Sequence, residues 1–278
     1  MPGRGPREGR CALCGEVRKL SEDHVPPRAA YNDRQWFLAK VEIAEAEGEL
    51  RWKHDHSSQK GNVYRSLCRE CNTRLGSYNR AYVEFTQRIA EEGELRARSI
   101  ITVIADYPLR ILKTAVQCFL SSLASAFRDE HPWMRRFLWA RDNREIPGDV
   151  SVWAYAMCYR VGRSSGPIIA GDFANYVPND LGDAFSHSVP FAEFAFWPLG
   201  LVLAYRPIDQ LLGPLHLFPL HSWRTYGYRE RAHVTIDLPV LPTATPIPVE
   251  FSTIEEAERA AGGSLPWMPQ GRLRPHGS

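Results

Sequence analysis

Hydrophobic positions recur every three or four residues in two stretches of this chain, and they alternate or cluster in most of the remainder. Leu75, Tyr78, Tyr82, Phe85 and Ile89 share one face of a predicted helix that leaves the second cysteine pair and runs to about residue 92. Leu109, Leu112, Val116, Phe119, Leu120, Leu123 and Phe127 draw an apolar stripe on a second helix. Pro108 opens it, because a missing N–H costs nothing in a first turn. Upstream, Val41-Glu42-Ile43 and Leu50-Arg51-Trp52 flank the acidic, glycine-bearing stretch 45–49 and predict a hairpin. Beyond Asp149 the chain turns β-like. Aromatic and β-branched runs at 150–161, 167–177, 191–205 and 215–220 are punctuated by Gly, Pro, Asn and Asp, and 233–241 adds another strand. Residues 242–248 read as a proline-rich linker and 254–261 as a short helix.

These elements predict an α+β protein. Residues 1–10 are expected to be a flexible basic arm, and 11–95 a small cysteine-bearing domain. Residues 96–250 are expected to form a second α+β domain with a helix and a mainly antiparallel sheet, and 251–278 a short helix with a loose tail. Composition adds 8 Trp, 11 Tyr and 12 Phe, enough to build a sizeable core and to exclude disorder over the full length. The net charge of +2 decides nothing about partners. Residues 1–90 carry a modest excess of Lys and Arg, which permits nucleic-acid binding without demanding it. No run is long enough for a membrane span, and the first ten residues have no apolar core for a secretory signal. A cytoplasmic protein with reduced thiols is therefore expected.

Of the 6 cysteines, four fall in two C-x-x-C pairs, Cys11/Cys14 and Cys68/Cys71. Each pair offers two thiolates from one tight turn, and two such knuckles close a tetrahedral zinc site with no open position. The other reading is a chance pairing of unrelated thiols. Between the pairs stands Leu20-Ser21-Glu22-Asp23-His24-Val25-Pro26-Pro27, an adjacent carboxylate and imidazole that can divide labour between cation and proton. Gly61-Asn62 precedes the second knuckle and Asn72 follows it directly. Most Asp-His dipeptides are surface pairs, and it is the order of all these parts that matters.

C-x-x-C-G, then D-H-V-P, then G-N before L-C-x-x-C-N resembles the zinc-bearing HNH nucleases over residues 11 to about 80. The resemblance implies a ββα-metal, treble-clef-like fold and metal-dependent hydrolysis of DNA phosphodiesters. It implies His24 as general base, Asp23 and Asn72 as ligands of a catalytic divalent ion, normally Mg²⁺, and Asn62 as a fixer of strand-to-helix geometry. Cys11, Cys14, Cys68 and Cys71 match the structural zinc ligands. DNA, expected as duplex, is the implied partner. The second domain is expected to select target, activating ligand or protein partner, in a setting such as phage defence or a mobile element. The alternative is a treble-clef zinc module that binds nucleic acid or protein without cutting it.

His54 and His56 read either as an insert-borne metal pair or as part of a solvated hairpin tip. Arg28, Arg69 and Arg74 read either as phosphate clamps or as ordinary surface. Cys118 and Cys158 are expected to be buried small hydrophobes.

Overall fold

A computed structural model describes residues 7–33, 36–44, 49–58, 61–92, 99–123, 125–157, 169–170, 174–176, 189–205 and 217–241. The N-terminal part is a three-stranded antiparallel sheet in the order β1-β2-β5, made of β1 (Glu8–Arg10), β2 (Val17–His24) and β5 (Val63–Cys68). Between β2 and β5 in the chain, β3 (Trp36–Ala44) pairs with β4 (Glu49–Ser58) as the expected hairpin. Helix α1 (Arg69–Glu91) follows β5 without a break. It starts inside the second knuckle, so Cys71 and Asn72 lie in its first turn.

Two differences from expectation arise here. Glu8–Arg10, expected in a loose arm, pair with Val17–Lys19, since an extended segment beside a strand edge can satisfy its backbone groups there. His54 and His56 do not sit at a hairpin tip: they face Ala39 and Leu38 within the β3–β4 ladder, across a register shift.

The second part is built on α2 (Pro108–Ser122), α3 (Ser125–Glu130), α4 (Trp133–Trp139) and a mixed seven-stranded sheet. Its strands are β6 (Ile100–Ala105), β7 (Val150–Met157), β8 (Ile169–Ala170), β9 (Ala174–Tyr176), β10 (Val189–Phe196), β11 (Leu199–Tyr205) and β12 (Val234–Leu241). The path runs β6-β12-β7-β11-β10-β8, with β9 also on β10. All pairings are antiparallel except β12 against β7. The single run expected at 191–205 is two strands joined at Trp197-Pro198. Residues 217–220 form no strand beyond one bridge from Phe218 to Ala154, because Pro219, with its fixed φ and no N–H, leads into a 3-10 helix at Leu220–Thr225.

Helix α2 is buried on almost every side, including Ile111, Leu112, Val116, Phe119 and Leu120. It forms the axis on which α1, α4 and the sheet pack, and apolar burial of this extent is the main stabilising term, about 1.5–3 kcal/mol per large side chain. One buried core runs from the knuckles through α1 and α2 to the sheet. The boundary expected near residue 95 and the segments 242–250 and 251–278 lie outside the described residues, as does Cys158. Among the described residues no helix is long and apolar enough to cross a membrane.

Candidate functional site

The first knuckle is a tight turn. Cys11 N donates to Glu16 O at 2.8 Å and Gly15 N to Cys11 O at 2.9 Å. Gly15 has a φ of +76°, a left-handed conformation that a side chain would resist. Ala12 N then donates to Ser66 O at 2.7 Å, which seats this turn beside the end of β5. Cys68, last residue of β5, directs its N–H at Cys11 Sγ, 3.3 Å away.

The outcome is a cluster. The sulfur atoms of Cys11, Cys14, Cys68 and Cys71 all lie within 4.8 Å of one another, and none is in a disulfide. Sulfurs around a tetrahedral zinc at ~2.3 Å stand about 3.8 Å apart, so a modest contraction suffices to hold such an ion. Burial raises the thiols of Cys14 and Cys71. Burial also acts to raise Cys11, but the N–H groups of Cys68, Cys14 and Leu13 outweigh it and hold that thiol below its ordinary value. The four cysteines could hold a metal such as zinc.

Next to the cluster, β2 ends in Asp23 and His24, which face Tyr64 and Val63 of β5 across a register shift. Asn72 reaches β2 from the first turn of α1: its Nδ2 donates to Ser21 Oγ at 3.2 Å and to Glu22 O at 3.3 Å. Asn72 therefore touches the two residues that precede Asp23-His24. His24 is half-buried. Asp23 points the other way, inward. It is 5% exposed, and its Oδ2 accepts a long 3.5 Å contact from Gln117 Nε2 of α2. Burial pushes its carboxyl up to about 7, with Gln117 and Ser121 holding it back. Gln117 Oε1 has no hydrogen-bond partner among the described residues. Cys118 is buried beside Gln117, its thiol raised by burial and then by the Asp23 charge.

Asn62 is buried and bound to backbone. Its Nδ2 donates to Val25 O at 2.8 Å, and its carbonyl accepts from Val25 N at 3.1 Å, so it grips the residue that follows His24. Asn32 completes the clamp. Its Oδ1 accepts from Asn62 N at 2.6 Å, and its Nδ2 donates to Pro26 O and Asn62 O at 2.7 and 2.9 Å. Gly61 makes the close approach possible: its φ is +84°, and a Cβ there would sit 2.2 Å from Asn32 O. Nothing in the sequence marks Asn32, Gln117 or Ser121 as part of this site. A lone Asn in a turn and two polar residues on an apolar helix carry no spacing that points to Asp23.

Arg28, Arg69 and Arg74 are exposed. Scans against protein-family models, curated proteins and solved structures give no match.

Proposed function

We propose that the chain is a metal-dependent endonuclease of the HNH kind that hydrolyses DNA phosphodiester bonds. The observation that supports this most is the meeting of Asn72 with β2 immediately before Asp23-His24, on a β2–β5–α1 frame pinned by four gathered cysteines. A carboxylate and a carboxamide are hard oxygen donors, which suits a divalent ion such as Mg²⁺ held largely by water and phosphate. Asn72 and Asp23 would hold such an ion together only if the Asp23 carboxyl, turned inward onto Gln117, swung toward Asn72; bound there it would supply positive charge where negative charge builds on the phosphate oxygens. His24, half-buried at the strand end, takes the proton from the attacking water. Asn62 and Asn32 keep that strand end in place through the Val25 and Pro26 backbone. The second part of the chain serves targeting or regulation.

Supercoiled plasmid incubated with Mg²⁺ or Mn²⁺ tests this. Nicking by the wild type and loss of nicking by His24→Ala are expected. No nicking with either ion, or equal nicking by His24→Ala, overturns the enzymatic reading. A second reading, a zinc-pinned module that binds without cutting, draws support from the inward turn of Asp23 onto Gln117.

A further inference from the structure

Around Tyr228, three arginines rest on aromatic rings. Arg74 of α1 lies 4.3 Å from the ring centroid of Trp139, at the end of α4. Arg110, in the first turn of α2, sits 4.4 Å from the Tyr107 ring and 4.5 Å from that of Tyr228. Arg141 approaches the same Tyr228 ring at 5.7 Å. The platform is itself fixed: Tyr228 meets Tyr78 edge-on at 5.7 Å, and Tyr78 Oη donates to Leu138 O at 3.1 Å. Trp139 remains 46% exposed although it is a large apolar side chain.

Arg18, Arg65, Arg80, Arg88 and Arg135 each form an ion pair. Among the described residues Arg74, Arg110 and Arg141 form none, as is true of Arg128, Arg144 and Arg224, which donate to backbone carbonyls; what sets the first three apart is their stacking on neighbouring rings. Asp142, exposed beside Arg141, is the acid closest in the chain. A guanidinium stacked on a ring spends its π face; Arg74 Nη1 also donates to Trp139 O at 3.4 Å and Arg110 Nε to Tyr228 O at 2.9 Å, which orients both groups and leaves their remaining in-plane N–H groups for an anion. Several such groups on one face match an anion that repeats, and a phosphodiester backbone is that anion.

We propose that this arginine–aromatic face is a DNA-binding surface in which Arg74, Arg110 and Arg141 grip the phosphates of the backbone. The choice of DNA rests on the hydrolytic reading above. Arg74 and Asn72 are two residues apart on α1 and leave different faces of it, Asn72 toward β2 and Arg74 toward Trp139, so the surface stands on its own cations and not on reach to Asn72.

Fluorescence anisotropy of a labelled DNA duplex, with the full zinc-loaded chain and no added Mg²⁺, tests the surface. The double variant Arg74→Glu/Arg141→Glu is expected to bind at least about tenfold more weakly and to show a salt slope shallower by about 2. Arg18→Glu/Lys19→Glu, an equal charge change on β2, is expected to stay within about twofold of wild type, and Trp139→Ala to lose about threefold. Circular dichroism confirms that each variant is folded. Wild-type affinity in the double variant, equal loss in the β2 control, or no binding at low salt overturns the surface. DNA held in this pattern with no plasmid nicked leaves the surface standing and removes the nuclease. Plasmid nicked equally by wild type and the double variant at limiting DNA removes the surface and leaves the nuclease.

Discussion

Two ionisable groups are buried against α2, and the structure treats them oppositely. Lys113 is fully buried, and its ammonium donates to the carbonyls of Phe137, Ala140 and Asn143, the last two at 3.1 and 2.8 Å. Three hydrogens meet three acceptors. One turn along the same helix, Gln117 meets Asp23 of β2 through a 3.5 Å contact, and Ser121 also bears on that carboxyl, both of them neutral partners. Burial drives both groups toward about 7, Lys113 downward and Asp23 upward. The first is a satisfied brace that caps the end of α4. The second is a buried carboxyl met by neutral amide and hydroxyl side chains, through a long contact in the case of Gln117, a cost that folds tolerate mainly where function requires the group. The lesson is that burial alone does not tell a brace from a site; the strength of the partners does.

The largest effect should come from the frame that carries Asp23. Removing metal with a chelator, or Cys71→Ser, is expected to unfold the knuckle region first, with a loss approaching ~10 kcal/mol of metal-linked folding energy. Zinc content and hydrogen exchange of β2, β5 and α1 report it, and exchange in β7 and β11 should change less. Next, Lys113→Met should cost about 3 kcal/mol in chemical denaturation, because three carbonyls lose their donor. A cost near zero would place Lys113 alongside Asp23 rather than opposite it.

Asp23→Asn should move stability the other way. A charge no longer has to be buried, so thermal unfolding at pH 7 should rise by about 1 kcal/mol while metal-dependent nicking is lost. Loss of both stability and nicking would make Asp23 a brace too. The smallest effect is expected at Asp106. Burial tends to raise its carboxyl, but Arg88 at 2.5 Å, with His233 and Arg231, outweighs that and holds it below its ordinary value. The unfolded chain therefore takes up this proton first as pH falls through about 4, and the stability that the ion pair contributes above that pH is lost below it. Asp106→Asn should flatten the acid limb of a stability-against-pH curve and leave neutral nicking unchanged.

Local periodicity locates α1, the body of α2 and the β3–β4 hairpin, because each hides one face and repeats at its own spacing; Leu123 and Phe127, expected on the same stripe, fall past the end of α2 at Ser122, Phe127 in α3. The knuckles were equally legible, since C-x-x-C encodes a turn and two ligands at once. Strand β6 was passed over although Ile101, Val103 and Ala105 alternate with exposed Ile100, Thr102 and Ile104. It is a six-residue edge between a charged stretch and α2, and only its register with β12 gives it a role. The parallel pairing of β12 with β7 and the meeting of Gln117 with Asp23 join residues far apart in the chain, and no window of neighbours encodes them. The same holds for Asn32, whose value lies wholly in the backbone it binds.

Arg135 of α4 donates from Nε to Ala12 O at 2.8 Å, inside the first knuckle. The turn bearing two of the four sulfurs is thus latched by a residue more than a hundred positions downstream. Transplanting residues 11–91 onto another protein would cut that latch and bare the apolar side of α1 to water, so the segment should behave poorly as a portable cassette. Gene fusions that preserve its properties would need to carry α2 and α4 as well.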